Sequence, residues 1–135
     1  MFYITPPSTA QEPFRFQNGA EAWGTLHCRG QDLSHTEPVF ATMYELDYTG
    51  PVRKIRRRVG NDGRFHLQLV DNKTGAMVKI FHRCNKDPKD KSCKVFQWYL
   101  PKKLIPPGSE KFMQGFGTQD LVDFKNYDGE DGCNV

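Results

Sequence analysis

Hydrophobic and polar residues alternate along most of the chain beyond residue 20, with the period of two that is typical of β-strands. In the clearest example, Phe65, Leu67 and Leu69 alternate with His66 and Gln68. No long segment shows the 3.6-residue period of an amphipathic helix. The pattern predicts seven strands, at residues 22–28, 37–47, 52–59, 64–70, 76–83, 94–100 and 116–124.

Turn-forming residues separate these predicted strands. The tetrapeptide Gly-Asn-Asp-Gly at 60–63 is a strong hairpin signal, because Asn and Gly tolerate the positive φ angles of tight turns. A second turn is predicted at 71–75, and the polar segment 85–92 is predicted to be a surface loop. We expect residues 101–110 to be irregular, as well as the stretch around Phe112 and Met113 before the last strand. Short strands at this spacing predict an antiparallel β-sandwich or open barrel.

The chain has 135 residues, of which 37% are hydrophobic, and this suits one domain with one modest core. We expect an N-terminal arm at residues 1–20, the β-domain at 21–125 and an acidic tail at 126–135. No stretch approaches the roughly 20 apolar residues that a spanning helix needs, so a transmembrane protein is not expected. The glycine fingerprints of nucleotide-binding enzymes are missing from the sequence.

The cysteine count is even, which in a short chain favours two disulfides and an oxidising compartment. The cysteines are Cys28, Cys84, Cys93 and Cys133. They allow three pairings, and we favour Cys28–Cys84 with Cys93–Cys133 because the second pair would anchor the acidic tail. Zinc is the alternative, since His27 and His82 lie near two cysteines. Their spacings do not match common zinc motifs, so we expect no metal and no cofactor.

The first ten residues lack the basic and apolar regions of a signal peptide, so a secreted protein would already have lost its signal. Asn72 begins the triplet Asn-Lys-Thr, which is an acceptor sequence for glycosylation and a weak sign of secretion. We therefore expect a secreted, extracellular protein.

A basic run is the most informative feature of the sequence. It contains Arg53, Lys54, Arg56, Arg57 and Arg58 without an acidic residue. In a strand, Lys54, Arg56 and Arg58 share one face at spacings of roughly 7 Å, which suits an array of anions. The alternative is a charged edge strand that prevents aggregation. The acidic tail would oppose a nucleic acid, so anionic lipid or a glycan is the favoured partner.

Aromatic residues offer a second candidate contact. Phe112, Met113 and Phe116 lie near two glycines and could insert into a membrane or cap the open end of the domain; we favour capping. Phe96, Trp98 and Leu100 are expected in the core. The histidines have no nucleophile in a recognisable pattern, and each is expected to be structural, so an enzyme is not expected.

An ordered set of short motifs resembles the nematode transthyretin-like family. The set includes G-x-L-x-C at 24–28, D-G-x-F-x-L at 62–67 and V-K-I-F-H-x-C-N at 78–85. Cys93-Lys94, Leu100-Pro101, Phe116-Gly117 and Cys133 continue it, so the resemblance covers roughly residues 22–133.

The resemblance implies a secreted transthyretin-like sandwich of seven or eight strands. The family includes an extracellular factor that binds phosphatidylserine on dying cells and presents them to an engulfment receptor, and this role is a candidate here. We expect the acidic residues 128–131 or the loop 85–92 to meet a cell-surface receptor. The alternative is a carrier of a small apolar ligand between the sheets, lined by Phe65, Leu67, Ile80 and Trp98.

Overall fold

The structure is a computed structural model that describes residues 19–70, 74–87, 89–90, 92–105 and 109–128. The regular secondary structure of this part is almost entirely β, with two short 3₁₀ turns at Leu33–His35 and Leu121–Asp123. The strands are β1 (Gly19–His27), β2 (Phe40–Asp47), β3 (Gly50–Arg58), β4 (Arg64–Val70), β5 (Ala76–His82), β6 (Lys94–Tyr99), β7 (Lys102–Ile105), β8 (Ser109–Asp120) and β9 (Tyr127–Asp128).

The strands form two sheets. A four-stranded sheet has the order β4-β1-β8-β7, and a five-stranded sheet has the order β3-β2-β5-β6-β9. All pairs are antiparallel except β1 with β8, which run parallel. The expected all-β sandwich is therefore confirmed as two packed sheets, although its strands are not antiparallel throughout.

The inner faces of the two sheets share one hydrophobic core. Leu26 and Leu67 of the four-stranded sheet are buried in the same cluster as Met43, Val78 and Ile80 of the five-stranded sheet. Alternation along the strands explains this arrangement, because every second side chain of a strand points to the same face. The core leaves the two outer faces as the surfaces on which function can reside.

A disulfide between Cys28 and Cys84 joins the two layers. Cys28 directly follows β1 of one sheet, and Cys84 comes shortly after β5 of the other. This bond confirms the favoured first pair, and it means that neither sulfur is a zinc ligand. Cys93 is also disulfide-bonded, while its expected partner Cys133 lies outside the described residues.

The tight turn at residues 60–63 is present, but the predicted hairpin is wrong. Strand β3 before the turn pairs with β2, and strand β4 after it pairs with β1 in the other sheet. Gly63 has φ 83°, and a Cβ there would lie 2.0 Å from the carbonyl oxygen of Leu26. The glycine thus lets the chain pass close to β1 as it crosses between the layers.

Residues 102–105 and 109–115 are extended, which corrects the expectation of an irregular stretch. Strand β7 pairs with β8, and β8 pairs with β1 over a sequence separation of about ninety residues. The sequence pattern does not reveal β8, because Gly115 and Gly117 interrupt its hydrophobic alternation. Its partner β1 also lies far away in the sequence. The strand ends at Asp120, whose carboxylate accepts a hydrogen bond from Val122 N and begins the following 3₁₀ turn.

The ends of the domain also differ from expectation. Strand β1 begins at Gly19, inside the predicted arm, and Ala20 is fully buried. Strand β2 begins at Phe40 instead of residue 37, after Pro38, which lacks a backbone donor. The glycosylation site at Asn72 and most of the acidic tail lie outside the described residues. Within the described part, no helix has the length and apolar character needed to cross a bilayer.

Candidate functional site

The basic run lies on a strand, β3, as the sequence predicts, and β3 is an edge strand of the five-stranded sheet, as the alternative of a charged edge strand requires. Residues that are paired across neighbouring strands share a face of the sheet. The register therefore places the outward residues of β3, β2, β5 and β6 in three rows across this face. The rows are Arg58–Phe40–Phe81–Val95, Arg56–Thr42–Lys79–Gln97 and Lys54–Tyr44–Met77–Tyr99.

These rows contain four cations and no carboxylate. We call the group formed by Lys54, Arg56, Arg58 and Lys79 the cationic face. Lys54 and Arg58 are exposed, and Arg56 and Lys79 are half-buried. Lys79 comes from a central strand and widens the row on β3 into a patch. Sequence reasoning missed Lys79, because period two along β5 groups it with Met77 and Phe81 but does not reveal which strand pairs with β5.

Arg56 is held in place by aromatic rings. Its guanidinium carbon lies 4.3 Å from the ring centre of Phe40 and 5.1 Å from that of Phe81. Burial lowers the pKa of Arg56 from its usual value, yet an arginine stays protonated in proteins. Stacking thus covers the apolar part of the face and keeps a fixed positive charge at its surface.

Tyrosines lie in the same rows as the cations. The Lys79 ammonium lies 5.6 Å from the ring centre of Tyr44, and Tyr99 is exposed at the end of the third row. Tyrosine combines an apolar ring with a polar hydroxyl and suits boundaries between apolar and aqueous media. The cationic face is therefore a sheet surface on which positive charge is interleaved with aromatic rings.

The remaining basic residues of the run point to the opposite side of β3. Arg53 donates to Glu45 Oε1 at 2.9 Å and to the Val70 carbonyl oxygen at 2.8 Å, so it ties the two sheet edges together. Arg57 is exposed, and its Nη1 donates to the Arg56 carbonyl oxygen. Period two therefore separates the five basic residues into three on the cationic face and two along the sandwich edge.

The candidate insertion residues Phe112, Met113 and Phe116 all lie on β8 in the other sheet. Phe112 and Phe116 are partly buried against the main core, and Met113 is half-buried. The structure thus separates these residues from the cationic face, on a different layer of the sandwich.

Trp98 corrects the expectation of a core residue, because 45% of it is exposed. It lines a cleft of about 410 Å³ that lies between β6 and β8. Phe96, Phe116 and Phe124 line the same cleft, and the rings of Phe96 and Phe124 stack at 4.0 Å between centres. The other expected carrier residues, Phe65, Leu67 and Ile80, are buried in the core.

His82 is fully buried on the inner face of β5. Its Nδ1 accepts a hydrogen bond from Cys84 N, so Nε2 carries the proton and donates to Asn126 Oδ1 at 3.1 Å. Burial lowers the pKa of His82 to about 4, against the smaller effect of the Asn126 hydrogen bond. This is the satisfied structural histidine that the sequence predicts.

Comparison of the chain with models of known protein families found no match, and comparison with curated proteins found none either. The functional argument therefore rests on the geometry of the chain itself.

Proposed function

We propose that the protein is a secreted, transthyretin-like binding protein whose cationic face attaches to an anionic extracellular surface. Phosphatidylserine-bearing membrane of dying cells is the proposed ligand, and a cell-surface engulfment receptor is the proposed second partner. The protein acts by binding and not by catalysis. The observation that carries the proposal is the array of four cations in three cross-strand rows without a carboxylate.

The charge on this face supports attraction to an anionic membrane, to which headgroup contacts or avidity must add. Each Lys or Arg near an anionic membrane contributes about 1 kcal/mol, so the four cations supply about 4 kcal/mol together. That corresponds to roughly a thousandfold preference over a neutral membrane. Protection of an edge strand against aggregation explains Lys54 and Arg58, but it does not explain Lys79 on a central strand.

The shape of the face supports a membrane over a compact anion. A sheet face is broad and open, and the outermost cations of β3 lie four residues apart, which spans roughly 13 Å. Several lipid headgroups fit within that distance, whereas one small anion contacts only part of the array. Tyr44 and Tyr99 add side chains that suit the headgroup region.

A bridging protein needs a second surface, and the loop 85–92 offers one. Arg83 organises the described part of this loop by donating to the carbonyl oxygens of Ser92, Asp87 and Asp90. Arg83 Nε also pairs with Glu37 at 2.8 Å. These bonds give the described part of the loop a defined shape that a receptor could recognise, while the acidic residues 128–131 remain the alternative.

Secretion is supported by the inter-sheet disulfide, since such bonds persist in oxidising compartments. The transthyretin-like resemblance of the sequence points the same way.

Vesicle pelleting tests the proposal. We expect the protein to sediment with vesicles that contain phosphatidylserine and to remain in solution with phosphatidylcholine alone. Binding should weaken strongly as salt rises to about 0.15 M, where the Debye length is about 8 Å. Equal sedimentation with both lipids, or binding that does not respond to salt, would contradict the electrostatic attachment.

The aromatic cleft beside Trp98 favours a second candidate function, the carriage of a small apolar ligand. Its volume of about 410 Å³ lies in the range of small-molecule sites, and aromatic side chains line it. A Trp23→Phe variant leaves Trp98 as the sole tryptophan and makes its fluorescence a specific reporter. Saturable quenching by a fatty acid would support this function, and unchanged fluorescence would count against it.

A further inference from the structure

A second surface site lies on the outer face of the four-stranded sheet, away from the cationic face. It is a trough of about 570 Å³ over strands β1 and β4. Trp23 and Thr25 line it from β1, and Arg64 and His66 line it from β4. Trp23 is 38% exposed, although it is the largest side chain of this face. An exposed indole beside polar groups is a feature that neither the core nor the proposed function requires.

The indole leans over a glycine of the neighbouring strand. Trp23 is paired with His66 on one side and with Gly115 of β8 on the other. A Cβ at Gly115 would lie 2.8 Å from Cε2 and Cζ2 of the indole. Only glycine therefore lets the ring occupy this position, and its lean towards β8 leaves the space over β4 open.

Glu21 is tightly paired at the edge of the trough, whereas Arg64 is paired loosely and at an exposed position. Glu21 lies between Lys111, at 2.5 Å, and His66. Burial alone would raise the pKa of Glu21, but the hydrogen bonds from Lys111 and His66 outweigh it and lower the pKa. Arg64 keeps a largely exposed guanidinium, 3.8 Å from the exposed carboxylate of Asp62. The trough thus presents an apolar ring, polar edges and one accessible positive charge.

We propose that this trough binds a saccharide that carries an acidic group. One face of a pyranose ring consists of C–H groups that pack on an indole, while its hydroxyls reach the polar edges formed by Thr25 and His66. The acidic substituent pairs with Arg64. A purely apolar ligand leaves these edges unused, and a cationic ligand meets Arg64 with the wrong sign.

Fluorescence titration tests the site. A Trp98→Phe variant makes Trp23 the sole tryptophan, and the probes are a hyaluronan tetrasaccharide, which has carboxylates, and neutral chitotetraose. We expect saturable fluorescence changes with both, and at least about fivefold tighter binding of the acidic probe. Arg64→Gln should remove that preference and leave the neutral probe unaffected. No response to either probe, or equal affinity for both in the Arg64-containing protein, would overturn the proposal as stated.

Calorimetry with the full chain supplies the structural controls. Trp23→Ala should lower affinity for the acidic probe by at least about tenfold. Gly115→Ala should lower it as well while the protein stays folded, because the indole must move. The Lys54→Glu/Arg58→Glu variant should bind the probe as the unmodified protein does. Loss of binding in that variant would mean that the cationic face holds the saccharide, and it would overturn the assignment to the trough without affecting the proposed function.

Discussion

The two outer faces of the sandwich handle charge in opposite ways. On the five-stranded sheet, four cations lie in neighbouring rows and no carboxylate shares those rows. On the four-stranded sheet, Glu21 is bonded to Lys111 and His66, so its charge is compensated within the face. A face whose described rows contain cations and no carboxylate attracts an oppositely charged surface over a Debye length, whereas a face whose charges are paired acts only at contact range.

Charges that contribute to binding and charges that contribute to stability lie on different faces of the sandwich. Lys54 and Arg58 are exposed, and exposed charges contribute little to folding. Lys111 is 1% exposed and forms an ion pair with Glu21. We therefore expect mutations on the cationic face to change binding without changing stability, and mutations at Glu21 to do the reverse.

The largest expected effect on stability concerns the bond that joins both layers. Replacement of Cys28 and Cys84 by alanine opens a cross-link with a sequence separation of 56 residues. The free energy of unfolding should fall by about 4 kcal/mol, because the unfolded chain regains the entropy that the cross-link removes. Urea denaturation measures this change. A loss well under 1 kcal/mol would mean that the core alone holds the sheets together.

The next effect distinguishes the two faces. Glu21→Gln should lower the free energy of unfolding by about 3 kcal/mol, because it removes the carboxylate that is paired with the buried ammonium of Lys111. Glu45→Gln is the matched control, since it removes the carboxylate paired with the partly exposed Arg53 and should cost below about 1 kcal/mol. Equal losses in the two variants would contradict the difference in stability between the buried ion pair and the exposed one.

A smaller effect depends on pH and concerns the inner side of the five-stranded sheet. The pKa of His82 is lowered from 6.5 to about 4 in the folded protein, so the unfolded chain binds a proton first as pH falls. The contribution of neutral His82 to the free energy of unfolding is complete above pH 6.5 and is lost as pH falls towards 4. From neutral pH to about pH 5, the loss should be about 2 kcal/mol.

Urea denaturation at several pH values checks this loss, with His82→Gln as the reference. The variant should lack this part of the pH dependence, because its amide does not titrate. Parallel pH profiles of the two proteins would show that His82 does not carry the effect.

Strands with strong alternation could be predicted from the sequence, while their partners could not. Residues 64–70 were predicted with their observed bounds, because their alternation is strict and one face is buried. The sequence at 60–63 predicts a hairpin, whereas the chain crosses there from one sheet to the other. A tight glycine turn has the same local sequence in both cases. The pairing of strands depends on contacts between residues that are distant in the sequence.

The candidate site shows the same division. Period two placed Lys54, Arg56 and Arg58 on one face of β3, where the structure also places them. Lys79 joins them only through the pairing of β5 with β2, and Trp98 is exposed because β6 runs to the edge of the aromatic cleft. Residues on one strand could be grouped from the sequence, whereas residues brought together by pairing required the structure.

The central claim is that location of charge, and not net charge, directs the protein to an anionic membrane. Binding to phosphatidylserine vesicles should be compared between Lys54→Glu/Arg58→Glu and Lys103→Glu/Lys125→Glu, which change net charge equally. Lys103 and Lys125 are exposed cations outside the cationic face. The first variant should bind at least about 100-fold more weakly than the unmodified protein, and the second should lose no more than about tenfold. Equal losses in the two variants, with both melting like the unmodified protein, would contradict the claim.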